Sequence, residues 1–269
     1  MARPDRPGPG SARRGGLGRR VAPTVALRPP GVPAQDPGSA GLAGIEAGLR
    51  QGIDRLGLEL DAGQRAQLLA YHALLQKWSR VYNLTALRDP ADMLTHHLLD
   101  SLAVVAPLRH QMAARGLAGD VRVLDVGSGA GLPGVVLAIC CPGLTVTCVD
   151  AVAKKVAFVR QVQVALGLGN LQPRHARVET LGGHYGVICS RAFASLADFV
   201  RLSRALLGAG GIWLAMKGNT PHDEIAQLPA DVRVFHVEQL DVPGLDARRC
   251  LVCMEPVESP GRGDAVPLP

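Results

Sequence analysis

No stretch of this chain stays apolar for the roughly 18–20 residues that a membrane-spanning helix needs. Its arginine-, proline- and glycine-rich start is followed by no apolar segment of the kind a secretory leader carries. Arg13-Arg14 likewise lacks the apolar region that a twin-arginine leader requires. A metal framework is missing too. Cys250 and Cys253 form a single C-x-x-C, without the second pair or the spaced histidines of a zinc ribbon. In a strand, positions three apart face opposite sides. Cys140, Cys141, Cys148 and Cys189 lie inside apolar runs. All six cysteines are therefore expected as buried free thiols. No metal and no membrane are expected, and the expected compartment is a reducing cytoplasm.

What is present is a chain of 269 residues, 47% hydrophobic, long enough for a sizeable core. The net charge of +6 is unevenly placed. Residues 1–40 hold Arg3, Arg6, Arg13, Arg14, Arg19, Arg20 and Arg28 against only Asp5 and Asp36. Such a segment buries too little apolar area to order itself, so a disordered tail is predicted. Its charge can attract nucleic acid. The body is close to neutral.

From about Leu42 the pattern turns helical. Two helices broken near Gly57 are predicted, the second capped by Asp61 and running to about Ser79. Asp89-Pro90 opens a third, whose apolar stripe is Met93, Leu94, Leu98, Leu102 and Val105. After Gly119 the pattern changes to alternating strands and helices. Strands are predicted at 121–126, 144–150, 185–192 and 210–218, with helices at 154–166 and 196–208. A further strand is expected just before "HARVETL" (175–181). Two last strands, 232–240 and 248–257, have no helix between them. The alternation predicts a right-handed, doubly wound α/β sheet, and the ending predicts one antiparallel strand. The expected organisation is a tail over 1–40, a helical region over 41–118, an α/β domain over 119–257 and a loose end over 258–269.

"VLDVGSGAGLPG" (123–134) sits at the heart of this pattern. Gly127, Gly129 and Gly131 follow the first strand, and Leu132 is expected to start a helix. Glycine lets a backbone turn sharply and approach a ligand closely. Two acids narrow the ligand. Asp125, two residues before the first glycine, would oppose a pyrophosphate and welcome an ammonium or sulfonium. Asp150 closes the second strand and can accept from two ribose hydroxyls. The pair favours S-adenosylmethionine over NAD, with an NAD-dependent oxidoreductase as the competing reading.

Five segments sharpen the picture: "NLTALRDPADMLTHHLLDSL" (83–102), the glycine loop, "RVET" (177–180), "SRAFASL" (190–196) and "MKG" (216–218). Together they resemble the RsmG (GidB) family, whose members methylate N7 of a guanine in 16S ribosomal RNA. The resemblance covers roughly residues 42–257. It implies a class I, Rossmann-like methyltransferase domain that binds S-adenosylmethionine and acts on the small ribosomal subunit, and a monomer is expected. It implies cofactor contacts from Gly127 and Leu132, adenosine contacts from Val178 and Glu179, and a place for Arg191 in the pocket of cofactor and substrate, in contact with the cofactor. Lys217 and the segment from Asn83 to His97 are implied as RNA-side groups.

The chemistry of that class is consistent with these residues. Guanine N7 carries a free lone pair at neutral pH, so positioning, with Arg191 as the positioning group, can replace a general base. An arginine at position 191 can bond O6 of a guanine or a phosphate, or serve an internal ion pair. Phe193 can stack on an extruded base or pack in the core. His96 and His97, adjacent on a helix, lack metal-pair spacing; one of them packs or faces the RNA. A methyltransferase for another RNA, a protein or a small molecule, and an RNA-binding module built on the tail, are the remaining readings.

Overall fold

A computed structural model describes residues 37–257. The predicted tails, up to residue 36 and from residue 258, lie outside them. The chain begins with α1 (Pro37–Arg55) and α2 (Ala62–Tyr82), followed by α3 (Pro90–Met93), a wide π turn (Leu94–Leu99) and α4 (Asp100–Leu102) as one continuous rod. Next come α5 (Val105–Ala114), β1 (Val121–Val126), α6 (Gly134–Cys140), β2 (Leu144–Asp150), α7 (Ala153–Leu166) and β3 (Leu171–His175). The rest is β4 (Tyr185–Arg191), α8 (Leu196–Ser203), β5 (Leu207–Lys217), α9 (His222–Ala226), β6 (Val232–Gln239) and β7 (Cys250–Pro256).

Local chemistry sets these boundaries. Asp61 caps α2 in a reciprocal box with Gln64, and Asn83 ends it in the left-handed conformation. The Gln64 side chain also donates to the carbonyls of Ile139 (2.9 Å) and Cys140 (3.3 Å), so one residue caps α2 and docks it on the end of α6. Asp89 accepts from the backbone of Ala91 and Asp92, with Pro90 at the first helical position.

The seven strands run β3-β2-β1-β4-β5-β7-β6, all parallel except β7, which enters between β5 and β6 antiparallel to both. The expected terminal hairpin is there, and its last strand is interior rather than at the edge. Side chains alternate between two buried layers. Val123, Cys189, Leu214 and Cys253 join the core shared with the helical region, α6 and α7. Leu124, Ile188, Trp213 and Cys250 join the layer under α8. The two cysteines of the C-x-x-C thus point to opposite faces, and all six are buried and free. Helical region and sheet share one core.

Four expectations shift. Helix α1 starts at Pro37, inside the span predicted as tail. Leu132 does not start a helix. It lies in a turn, its N–H on Ser128 O, and α6 begins after Pro133, which has no N–H to donate. Helix α8 stops at Ser203, short of the predicted Gly208, where the Ser203 hydroxyl bonds back to Phe199 O and the chain tightens before β5. β5 therefore begins at Leu207 rather than 210. The short α9 was not foreseen, because no apolar period marks it.

Candidate functional site

Strand order reverses about β1, with β2 on one side and β4 on the other. A crevice opens at such a point, beyond the carboxyl ends of the strands. The glycine loop fills it. Gly127 has φ of +65° and Gly129 of +59°, values a side chain resists. A Cβ on Gly127 would also meet the Phe193 ring at 2.9 Å.

Three groups pin this loop. Asp150 accepts from Gly129 N (2.9 Å) with one oxygen and from Val152 N (2.8 Å) with the other. Lys155 lies 3.9 Å from it. Asp125 accepts from Gly134 N at 2.8 Å. The hydroxyl of Tyr71, from α2, donates to Ala130 O at 2.7 Å. That last bond ties the helical region to the site.

Gly127 borders two cavities. The larger, about 660 Å³, is lined by Gly127, Ser128, Gly129, Leu132 and Lys155 on one side. Its other walls carry Thr85, His96, His97, Asp100, Arg191, Lys217 and Arg249. The smaller, about 380 Å³, is lined by Asp150, Val178, Glu179 and Phe193 among others.

The electrostatics differ from point to point. Asp125 has no exposed surface, and burial raises its pKa to about 7 against the opposing pull of the Gly134 N–H and of Arg191. Its second oxygen has no hydrogen-bond partner among the described residues. Asp125 stands beneath the loop, in the wall of neither of these two cavities. His97 is lowered to about 4, chiefly by burial and then by the Arg191 charge. Its Nε2 pairs with the Thr85 hydroxyl at 2.8 Å. Lys217 donates to both oxygens of Glu224 (3.0 and 2.8 Å) and to Ala194 O (3.2 Å). Arg191 Nη1 donates to His96 O (3.0 Å) and to Asp100 (3.1 Å).

Apart from Asp125 and Asn83, the sequence-predicted residues fall into two groups. Gly127, Gly129, Leu132, Arg191, His97 and Lys217 meet at the large cavity. Asp150, Val178, Glu179 and Phe193 meet at the small one. Phe193, read as either a stacking or a packing group, lies against Gly127 and edge-on to Phe199, with ring centroids 6.0 Å apart. Asn83 lines neither cavity. It is exposed, and its side-chain oxygen accepts from Arg88. Sequence reasoning passed over Asp100, Arg249 and Lys155 as site residues, and reached Thr85 only as part of the Asn83–His97 segment. Asp100 had a signal, since it sits in the 83–102 segment beside the histidines. Arg249, in an irregular loop, had none.

Among the described residues no cluster of three or more His, Cys, Asp or Glu is placed to hold a metal ion, and no helix is long and apolar enough to cross a membrane.

A sheet of this order, with the last strand reversed and a glycine loop at its switch point, defines a class I methyltransferase domain. Residues 64–252 match the model of the GidB family, described as rRNA small subunit methyltransferase G, and the chain belongs to that family. It is 62% identical over 217 residues to the "Ribosomal RNA small subunit methyltransferase G" of Acidovorax ebreus, covering 79% of this chain and 96% of that one. To the protein of the same name from Albidiferax ferrireducens it is 63% identical over 218 residues, covering 78% and 96%. Among solved structures it is similar to TrmN from Thermus thermophilus, at 18% identity and a TM-score of 0.47 over 61% of this chain and 53% of that one. A SAM-dependent methyltransferase from Geobacter sulfurreducens, in complex with S-adenosyl-L-homocysteine, is similar at 15% identity and a TM-score of 0.43 over 58% and 90%. With scores below 0.5, the sheet topology itself remains the basis of the fold assignment.

Proposed function

We propose that this protein transfers a methyl group from S-adenosyl-L-methionine to N7 of a guanine in 16S rRNA, as a monomer acting on the small ribosomal subunit in the cytoplasm. One observation carries the reading. The glycine loop at the switch point opens into a cavity whose opposite wall is built by the 83–102 segment and Arg191. Donor side and acceptor side therefore face each other across one space.

The residues fit the cofactor. Gly127 is bare where a Cβ would strike Phe193, and it separates the two cavities. The small cavity offers an apolar floor, Val178 and Phe193, beside the carboxylate of Glu179. That suits a purine with an exocyclic amine. Asp150 uses one lone pair of Oδ2 on the loop N–H of Gly129 and one of Oδ1 on the Val152 N–H, and keeps others for hydroxyls. Gly129, Leu132 and Asp125 hold the loop in shape from within, and Asp125 lies beneath the point a cationic ligand would favour. When bound, S-adenosylmethionine supplies an electrophilic methyl group on a sulfonium.

The acceptor wall needs no proton acceptor, since N7 attacks with its own lone pair. His97, neutral with a pKa near 4 and paired to Thr85, suits a shaping role there rather than a basic one. Arg191 and Lys217 bring positive charge to the cavity for O6 or a phosphate, and the Arg191 guanidinium orients the base. Asn83 lies in the segment that leads from α2 to the cavity wall, and we assign it to the RNA side.

The test uses labelled cofactor with 30S particles or 16S RNA, followed by nucleoside mass spectrometry. The expected product is 7-methylguanosine. Labelled RNA with methyl at another atom, or label only in protein or small molecules, would overturn the reading. Arg191→Ala should lower transfer about tenfold or more, the loss expected of one charge-assisted contact. Unchanged turnover would remove Arg191 from the site. Sedimentation equilibrium at a dimer mass would overturn the monomer.

A further inference from the structure

Asp100 is a carboxylate almost fully buried in the wall of the large cavity. It ends the π turn. Its backbone N–H donates to the carbonyl of Thr95, five residues back. That widened turn presents two acceptors to the cavity wall together. His96 O takes Arg191 Nη1, and Asp100 Oδ2 takes the same nitrogen at 3.1 Å. The other oxygen, Oδ1, takes Arg249 Nε at 2.9 Å. Arg191 comes from the end of β4 and Arg249 from the loop before β7. One carboxylate thus joins three separate parts of the fold.

Charge makes the arrangement informative. Two guanidiniums this close repel unless an anion lies between them. Lys155 and Lys217 in the same cavity already face Asp150 and Glu224. Asp100 offsets one of its two arginines, so this triad leaves one positive charge unmatched in the wall. The donors left over are specific. Nε and Nη2 of Arg191 and Nη2 of Arg249 find no protein acceptor among the described residues. Nε and Nη2 form the side-on fork that grips a carbonyl or phosphate oxygen.

We propose that Asp100 is a positioning residue for the acceptor RNA: it grips Arg191 and Arg249 at once and turns their unused donors toward the nucleotide in the cavity. This rests on the RNA-methylation reading above. The residue touches no substrate itself and acts through the two arginines.

The test is Asp100→Asn, which keeps the shape and removes the charge. Side-chain NMR of the full-length protein reads the arginines directly. In the wild type, rotation of the Arg191 and Arg249 guanidiniums should be slowed. In Asp100→Asn both signals should collapse to free rotation while the backbone amide spectrum is kept. Methyl transfer to 16S RNA should fall about tenfold or more, with affinity for S-adenosylmethionine changed less than about threefold. On an Arg191→Ala background the same change should cost clearly less than on the wild type. Unchanged guanidinium signals, or an equal cost on both backgrounds, would overturn the proposal. A wild type that methylates no small-subunit RNA would instead sink the function, and the NMR arm would still decide whether Asp100 holds the two arginines.

Discussion

Replacing Asp125 by asparagine should flatten part of the protein's pH-dependent stability. Asp125 is fully buried among apolar strands, with the thiols of Cys148 and Cys189 beside it. Burial raises its pKa from 3.8 to about 7, and the Asp150 charge adds to the rise. The Gly134 N–H and Arg191 pull the other way and lose. Because the folded pKa lies above the unfolded one, the folded state holds the extra proton between them. The contribution is therefore complete below about pH 4 and lost as pH climbs through 7. Three pKa units at ~1.36 kcal/mol each make it about 4 kcal/mol. His97 works in the opposite direction, since its pKa falls from 6.5 to about 4 and its neutral form is favoured. The wild-type curve alone therefore mixes two opposed slopes. Subtracting it from the Asp125→Asn curve cancels the histidine. The amide leaves a buried donor where Oδ1 has no partner, at a cost of about 1–3 kcal/mol, but that cost does not vary with pH. Urea unfolding at half-unit steps from pH 4 to 8 should show the variant gaining on the wild type by roughly 4 kcal/mol across the window, then levelling. Parallel curves, or a gap that closes as pH rises, would refute the assignment of a raised pKa to Asp125.

Other outcomes follow from single contacts. Gly134→Ala puts a methyl group against Cys148 Sγ and 2.7 Å from Asp125 Oδ2. Overpacking of about 1–3 kcal/mol should outweigh the helix-propensity gain of up to about 1 kcal/mol, so the urea midpoint should fall; a rise would show that the site has slack. Ser203→Ala strands the buried indole N–H of Trp213, which donates to the Ser203 hydroxyl at 3.0 Å. It should cost about 1–3 kcal/mol, and a variant as stable as the wild type would mean that the indole finds another acceptor. His97 should titrate near pH 4 in proton NMR, and its own contribution to stability, read on the Asp125→Asn background, should decline as pH drops from 6.5 toward that value. A midpoint between 6 and 7 would contradict its burial beside Arg191.

How much of this was legible beforehand depends on how local each signal is. Strand β1 and the caps at Asp61 and Asp89 are written in adjacent residues, and the sequence places them correctly. So are the hairpin of β6 and β7 and the apolar environment of the cysteines. The wide turn at Leu94–Leu99 is invisible to a stripe of Met93, Leu94, Leu98 and Leu102, because that spacing also fits an ordinary helix. Its consequence, Asp100 between two arginines, spans sequence separations of 91 and 149 residues. No periodicity encodes such a contact. Phe193 stays open in the sequence, between stacking and packing, for a related reason. An aromatic beside a predicted site looks like a stacking platform, but only the fold shows that the bare Gly127 already receives its ring.

The glycine loop raises a physical tension that the structure resolves. Its glycines allow close approach to a ligand, yet glycine loses the most conformational freedom on ordering. A loop left loose would levy that cost on every binding event. Here the cost is met at folding instead. Asp150 holds the middle of the loop through Gly129, Asp125 holds its far end through Gly134, and Tyr71 holds Ala130 from the helical region. Adjacent strands each carry an aspartate at or next to their carboxyl end, and each carboxylate takes a different point of one loop. Asp150 stays at the rim of the small cavity, with lone pairs to spare for a ligand. Asp125 is sealed beneath, where it can be kept only by a proton or by positive charge above it. The helical region is therefore part of the site and not an appendage to it. Tyr71→Phe, a change at a residue that lines neither cavity, should loosen the loop at Ala130 and weaken S-adenosylmethionine binding in calorimetry; unchanged affinity would refute that role.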